Sequence, residues 1–436
     1  MDKARQAAVF ALERVRRDGA WSSALGDAMR IKFGLDPRSL ALAESICLGV
    51  MQNTALLDYY IDLYSKSSSK IEPKVRDIMR SGAYQLLFMD KIPASAAVNE
   101  SVALCKKLGY SRATGFCNAV LRKLAAADKV QLPDIPGEGA AEYLSVKYSH
   151  PLWLVQYIIS RRGYDSAEAF FAANNMIPDT CLQVNTLKTS TQKLLARLRD
   201  SGAECAEHPW LPDCIIATGR ISTMAGFDEG LFYVQDPAAK CAVLAADLKP
   251  GMDVLDACAA PGGKSFAAAI AMKNKGRIDS CDLHDKKIGL IKDGAQRLGI
   301  DIINAFPHDA RARLDRLYDA VICDVPCSGY GVIRKKPEIR YRPQTDCTAM
   351  PPIQTAILKN TSKYVKSGGL IIYSTCTVMQ EENEGVVRRF LCDHPEFSAE
   401  SFTLPNGETA DKGYITFWPD IHGTDGFFVC KLRRNK

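Results

Sequence analysis

Val254-Leu255-Asp256-Ala257-Cys258-Ala259-Ala260-Pro261-Gly262-Gly263-Lys264-Ser265 is the stretch that decides the fold. Its apolar start reads as a strand, the run through Pro261 and the two glycines as a tight loop, and Lys264-Ser265 as the opening of a helix. Without a Cβ, Gly262 and Gly263 can take left-handed dihedrals and let backbone approach a ligand, while the N–H groups at a helix start favour negative charge. A dinucleotide-binding turn places G-x-G-x-x-G here, and a P-loop places four residues between its first Gly and Gly-Lys-Ser; neither spacing occurs. The loop reads as a small-molecule cradle for something other than NAD or ATP.

Outward from this loop, strand and helix signals alternate from Gln235 onward. Val254–Asp256, Arg277–Asp282, Ala320–Asp324 and Leu370–Ser374 are the strand candidates, and Ile288, Ile291, Ala295 and Leu298 mark one of the intervening helices. Such alternation predicts a doubly wound α/β sheet, whose ligands collect beyond the carboxyl ends of the strands. Asp282 ends the second strand, where an acidic side chain suits ribose hydroxyls; helix capping, by it or by Asp285, is the plainer role. Asp324-Val325-Pro326-Cys327 follows the third strand and Ser374-Thr375-Cys376-Thr377 the fourth. Thr377 with Gln380 has the spacing of a capping box, which predicts a helix starting just past Cys376 and a thiol activated by the positive helix end. A single cysteine in an apolar stretch is usually a packing residue; two at neighbouring strand ends point to chemistry.

Upstream the pattern changes. Residues 1–130 read as a bundle of five to seven short helices, with Ala8, Ala11, Leu12 and Val15 on one face, Pro73 in a first turn and Gly109 at a helix end. A linker rich in Pro and Gly is expected over 131–142, a small α+β subdomain over 143–234, and the α/β domain over 235–436. Residues 1–130 carry 20 Lys and Arg against 13 Asp and Glu, whereas the remainder is near neutral, a distribution that favours a polyanion partner for the helical part. No apolar run approaches the roughly 20 residues of a membrane span, and the start Met1-Asp2-Lys3-Ala4-Arg5 lacks signal-peptide character, so a cytoplasmic location is expected. Fifteen scattered cysteines with no C-x-x-C pair suit reduced thiols and exclude a zinc ribbon; no metal is expected. His150, before Pro151, reads as a turn or packing residue.

The wording Asp256-Ala-Cys-Ala-Ala-Pro-Gly-Gly-Lys264 closely resembles the cofactor loop of the NOL/NOP/Sun family of S-adenosylmethionine-dependent RNA cytosine-5 methyltransferases. Arg5-Gln6-Ala7-Ala8 and Phe116-Cys117-Asn118-Ala119-Val120-Leu121-Arg122-Lys123 resemble the NusB-like RNA-binding domain, and Ser149-His150-Pro151-Leu152-Trp153 and Asp425-Gly426-Phe427-Phe428 extend the likeness to nearly the whole chain. The resemblance implies a Rossmann-like α/β methyltransferase domain preceded by an all-α NusB-like domain and a small α+β subdomain. It further implies S-adenosyl-L-methionine as cofactor and 16S ribosomal RNA, free or in an early assembly intermediate, as partner. Cys258, Ala259, Ala260, Pro261, Gly262, Gly263, Lys264, Asp282, Asp309 and Asp324 match the cofactor-binding positions.

The same resemblance makes Cys376 the nucleophile, Cys327 the residue that assists release, Asp324 the carboxylate between cofactor and base, and Lys264 a nearby charge-tuning lysine. The chemistry explains why one site would need two thiols. C5 of cytosine is too electron-poor to attack a methyl group, but a thiolate added at C6 makes C5 enamine-like, and the C5 proton must then leave before the thiol is expelled. In Gly331–Arg342 the cations Arg334, Lys335, Lys336, Arg340 and Arg342 form the best candidate RNA-phosphate loop. The chain departs from the family at Gln183, where Arg is usual, at Val325, where Pro or Ala is usual, and at Lys336 and Glu338, where His and Asp are common. Two other classes remain open on sequence: a DNA cytosine-5 methyltransferase attacking through Cys327, and a non-catalytic RNA-binding or antitermination factor that uses the basic helices alone.

Overall fold

The computed structural model describes residues 2–20, 22–65, 71–127 and 134–435. The first residues of the linker expected over 131–142 lie outside them. The chain divides into two compact units, Met1–Met176 with Ile333–Arg342, and Ile177–Val332 with Pro343–Lys436.

The first unit is all helical: α1 (Lys3–Asp18), α2 (Ser22–Phe33), α3 (Pro37–Gln52), α4 (Thr54–Leu63), α5 (Pro73–Phe88), α6 (Ala94–Lys107), α7 (Thr114–Ala126), α8 (Ala141–Lys147), α9 (Leu152–Arg162) and α10 (Tyr164–Asn174). The starts are written into the sequence. Asp2 accepts from the Ala4 N–H, Asp36 from Arg38 and Ser39 ahead of a first-turn Pro37, and Glu72 from Lys74 and Val75 ahead of Pro73. Ala4, Ala7, Ala8 and Ala11 give α1 a buried face of small side chains that joins Ile46, Val50, Ile78 and Leu121 in one core. The helices α8–α10, which the sequence assigned to the small α+β subdomain, cluster with this unit.

A short 3-10 turn, Pro337–Tyr341, completes the unit from far along the chain. Arg340 is 1% exposed and donates to the carbonyls of Gln52 at 2.6 Å, Tyr148 at 3.1 Å and Asn174 at 3.2 Å, and to Asn175 Oδ1 at 2.6 Å. Burial pulls its pKa down to about 10. His150, buried against Phe171, is pushed well below its ordinary pKa by burial and then by Arg340, and is a neutral packing residue.

The second unit begins with β1 (Thr180–Val184), α11 (Thr191–Asp200), β2 (Cys205–Glu207), β3 (Cys214–Ala217) and β4 (Phe232–Val234), an antiparallel sheet of order β2-β3-β1-β4. Gln183 on β1 is fully buried and donates to the Gln235 carbonyl at 2.9 Å, so it reaches no phosphate. There follow α12 (Pro237–Ala245), β5 (Asp253–Asp256), α13 (Gly263–Ala271), β6 (Arg277–Asp282), α14 (Asp285–Leu298), β7 (Ile303–Pro307), β8 (Tyr318–Asp324), α15 (Thr345–Thr361), β9 (Val365–Thr375) and α16 (Glu384–Asp393). The chain ends with β10 (Phe397–Ala399), β11 (Phe402–Thr403), β12 (Thr409–Ala410), β13 (Tyr414–Phe417), α17 (Pro419–His422) and β14 (Phe427–Arg434).

The main sheet has the order β10-β14-β9-β8-β5-β6-β7, with β13 on β14. Neighbours from β7 to β9 run parallel and β14 returns antiparallel beside β9. The strand order reverses between β5 and β8, so the carboxyl ends of β5, β6, β8 and β9 bound the crevice where this architecture binds ligands. The Rossmann-like methyltransferase fold, with an all-α domain and a small α+β domain before it, is the one the sequence predicts. Among the described residues no single helix is long and apolar enough to cross a membrane.

Candidate active site

The glycine loop takes its shape from its own packing. Gly262 has φ +112°, and a Cβ there would stand 2.5 Å from the Phe266 ring, so both conformation and space demand glycine. The Gly262 N–H donates to the Ala259 carbonyl and the Ala259 N–H to the Cys281 carbonyl, each at 2.7 Å, folding Cys258, Ala259, Ala260 and Pro261 across the ends of β5 and β6. Below them Asp256 is fully buried, accepts from Ser265 Oγ at 2.7 Å and is pushed up to about 7, chiefly by burial. Burial also raises the Cys258 thiol well above its ordinary pKa.

Asp282, 8% exposed at the end of β6, accepts from the His284 N–H at 3.0 Å with one oxygen. This closes the turn ahead of α14 without capping the helix itself, whose N-cap residue His284 makes no side-chain cap, and the crevice lies beside it. Asp309 is held by Arg311 through the guanidinium, at 2.7 Å, and the backbone N–H, and the guanidinium hydrogen bond first of all brings its pKa down to about 2.

Lys264, on the first turn of α13, places Nζ 2.6 Å from Asp324 Oδ2 and 5.1 Å from the centroid of Phe427. The other Asp324 oxygen accepts from Ser374 Oγ at 2.8 Å. Both carboxylate oxygens are thus aimed by groups on two other elements. Three residues on, Cys327 Sγ lies 3.0 Å from Cys376 Sγ, and both thiols are half-buried. The Cys327 thiol is pushed well above its ordinary pKa, first by its hydrogen bond with Cys376, then by burial and the carboxylates of Glu382 and Asp324.

One expectation fails. No helix starts just past Cys376; α16 begins at Glu384, with Asn383 at the N-cap position but its side chain turned to Thr375 and Thr377 rather than capping the helix. The Thr377 hydroxyl accepts from the Met379 N–H and pairs with Ser328 Oγ at 3.0 Å, a local turn in place of a capping box. Cys376 therefore does not sit at a helix start, and the expected activation by a helix dipole is withdrawn.

Of the candidate phosphate-binding cations, Lys335 and Lys336 are exposed and Arg342 is half-buried, while Arg334 and Arg340 are buried. Arg340 is committed to backbone carbonyls of the helical unit, so its assignment to RNA is withdrawn. Among the described residues no group of three or more His, Cys, Asp or Glu side chains could hold a metal ion.

Sequence reasoning missed Ser374, Gln354, Glu382 and Asn383, which surround the two thiol loops. The available signal was the run Glu381-Glu382-Asn383-Glu384, which has the composition of a solvated face.

Comparison with known proteins bears on the whole chain. Residues 243–433 match the family model for 16S rRNA methyltransferase RsmB/F, residues 2–126 the NusB family, and residues 150–223 the RsmF/B-like methyltransferase ferredoxin-like domain. The probable ribosomal RNA small subunit methyltransferase B of Bacillus subtilis is 34% identical over 445 residues, covering 99% of this chain and 98% of the relative. Its Synechocystis counterpart is 33% identical over 448 residues, covering 100% of each. The crystal structure of PH0851 matches with TM-score 0.82 at 28% identity, over 100% of this chain and 99% of that one. A methyltransferase homolog protein from Pyrococcus horikoshii matches with TM-score 0.59 at 27% identity, over 67% and 97%.

Proposed function

The chain belongs to the ribosomal RNA small subunit methyltransferase B family, and from that premise we propose that it methylates C5 of a cytosine in 16S ribosomal RNA through a covalent adduct on Cys376. The observation that carries this reading is the pair of thiols 3.0 Å apart beyond the ends of parallel neighbours β8 and β9, with Asp324 on the same loop.

The donor is S-adenosyl-L-methionine. The crevice fits it on two counts: a cradle at Gly262 that a Cβ would close, and a buried carboxylate, Asp282, at the next strand end. Cys258 to Lys264 would line the methionine side, Asp282 the ribose and Asp309 the adenine; Arg311 must share Asp309 with that ligand. When bound, the cofactor supplies a methyl group on a sulfonium.

The residues divide the remaining work. Cys376 Sγ adds to C6 as its proton passes to the Asp324 carboxylate and on to N3, so that a carbon–sulfur bond forms, the C5–C6 π pair is released and C5 becomes enamine-like. Asp324, its charge steadied by Lys264 and its orientation by Ser374, holds the N3 and amino edge of the base. After methylation the C5 proton passes to water, with Cys327 in place to assist, the C–H pair reforms the C5–C6 double bond, and the Cys376 Sγ–C6 bond breaks with its electron pair returning to sulfur. The base must be unstacked to reach the thiols, which favours a loop nucleotide. The reaction belongs in the cytoplasm, with 16S RNA free or in an early assembly intermediate, and Lys335, Lys336 and Arg342 supply phosphate contacts.

The test is trapping with 5-fluorocytosine in RNA and in DNA, followed by peptide mapping. The reading requires an RNA adduct on Cys376; an adduct on Cys327 in DNA overturns it.

A further inference from the structure

Two separate loops carry the thiols, and no covalent link sets their spacing. What joins them is a pair of consecutive residues from the turn before α16. Glu382 is fully buried, and its carboxylate accepts from the Ser328 N–H at 2.9 Å, from Ser328 Oγ, and from Gln354 Nε2 at 2.8 Å. Gln354 Nε2 also donates to the Pro326 carbonyl at 3.0 Å. The residues before and after Cys327 are therefore both tied to one carboxylate. Asn383, 1% exposed, accepts from Thr375 Oγ1 at 2.5 Å and donates to the Thr377 carbonyl at 2.9 Å, gripping the residues on both sides of Cys376. Tyr373 donates to the Glu382 carbonyl at 2.6 Å, and Ser328 Oγ meets Thr377 Oγ1 at 3.0 Å between the two grips.

A buried carboxylate with no cation among these partners is costly to fold around. Three donors converge on it, from the Ser328 backbone, the Ser328 hydroxyl and the Gln354 amide. The geometry points to Glu382 and Asn383 as positioning residues that hold Cys327 and Cys376 at working distance, so that the second thiol is in place when the methylated base must be released. The inference rests on the covalent reading above for its consequence in turnover, but not for the spacing itself.

The spacing is read without catalysis. Treatment of the full chain with 2,2'-dithiodipyridine lets one thiol displace a pyridinethione to form a mixed disulfide; the second thiol then displaces the other pyridinethione, leaving a Cys327–Cys376 disulfide and two equivalents of thione. Peptide mapping follows that cross-link over time. Glu382→Ala is expected to slow it at least tenfold relative to the native chain, with Glu382→Gln, which keeps shape but loses charge, in between; circular dichroism checks that each is folded. Both variants should retain S-adenosylmethionine binding and, in steady-state assays, lower kcat more than they raise KM, while accumulating covalent RNA adduct in single-turnover reactions. Native cross-linking rates in a folded Glu382→Ala overturn the inference. A slowed cross-link with no adduct in any variant supports the positioning role and sinks the covalent reading instead.

Discussion

Cys327 Sγ stands 3.0 Å from Cys376 Sγ, closer than two sulfur atoms in mere contact, so one thiol hydrogen-bonds the other. The two sulfurs are not equivalent. Cys327 has the carboxylates of Glu382 and Asp324 among its neighbours, and its hydrogen bond to Cys376 together with burial pushes its thiol well above the ordinary range, which is consistent with the proposal that Cys376 is the nucleophile.

Cys376→Ala should abolish turnover, whereas Cys327→Ser should retain attack and accumulate a covalent RNA adduct. Denaturing electrophoresis of reactions with labelled RNA separates the outcomes. Normal turnover in Cys376→Ala removes the nucleophile assignment.

The Lys264–Asp324 pair is mostly buried on the lysine side and 29% exposed on the aspartate side. Lys264→Met should cost about 1–3 kcal/mol in stability, below the roughly 3–5 kcal/mol of a fully buried pair because water still reaches Asp324. Asp324→Asn should lower kcat by about 10²–10⁴-fold, the range of a lost proton-handling group. Thermal unfolding and steady-state kinetics check the two.

Asp256 titrates near 7 in the folded chain against an ordinary value of 3.8. Between these values the folded state keeps a proton that the unfolded state has released, so this group makes stability fall as pH rises from about 4 to about 7 and adds no further change above that. Asp256→Asn should remove that slope. Urea unfolding of both proteins at pH 5 and pH 8 measures it; an unchanged pH difference would refute the assignment.

Gly262→Ala meets a left-handed φ and the Phe266 ring together. A loss of about 1–3 kcal/mol is expected, with weakened S-adenosylmethionine binding by calorimetry, because the loop must move to admit the methyl group.

Lys335 and Lys336 differ from Arg340 in kind. Ala at either lysine should weaken RNA binding at all sequences and reduce the log–log salt slope by about 0.7–0.9 per lost contact. Arg340→Ala should instead leave five carbonyl or amide oxygens short of a donor and lower stability by at least ~2 kcal/mol. Filter binding across salt concentrations and thermal unfolding tell the effects apart.

The crevice was legible because its signals are local. Apolar runs ending in Asp256, Asp282 and Asp324 give strands that stop where an acid meets the crevice, and the glycines between Pro261 and Lys264 permit the left-handed turn that leads into α13. What escaped was decided by distant partners. Thr377 and Gln380 satisfy a capping-box pattern, yet Ser328 and Asn383 claim the hydroxyl and carbonyl of Thr377, and the helix waits until Glu384. In the 331–342 loop all five cations look alike by composition, but Arg340 finds acceptors as far away as Gln52, which no window of sequence contains.

That separation has a consequence for biogenesis. Gln52 and Arg340 are 288 positions apart, so a ribosome making this chain releases the amino-terminal helices long before the guanidinium that closes them has been synthesised. A nascent fragment ending ahead of residue 340 carries its carbonyl cage open to water. Fragments cut there should be protease-sensitive around Tyr148 to Asn175, and maturation of the helical half should wait on translation of the catalytic half.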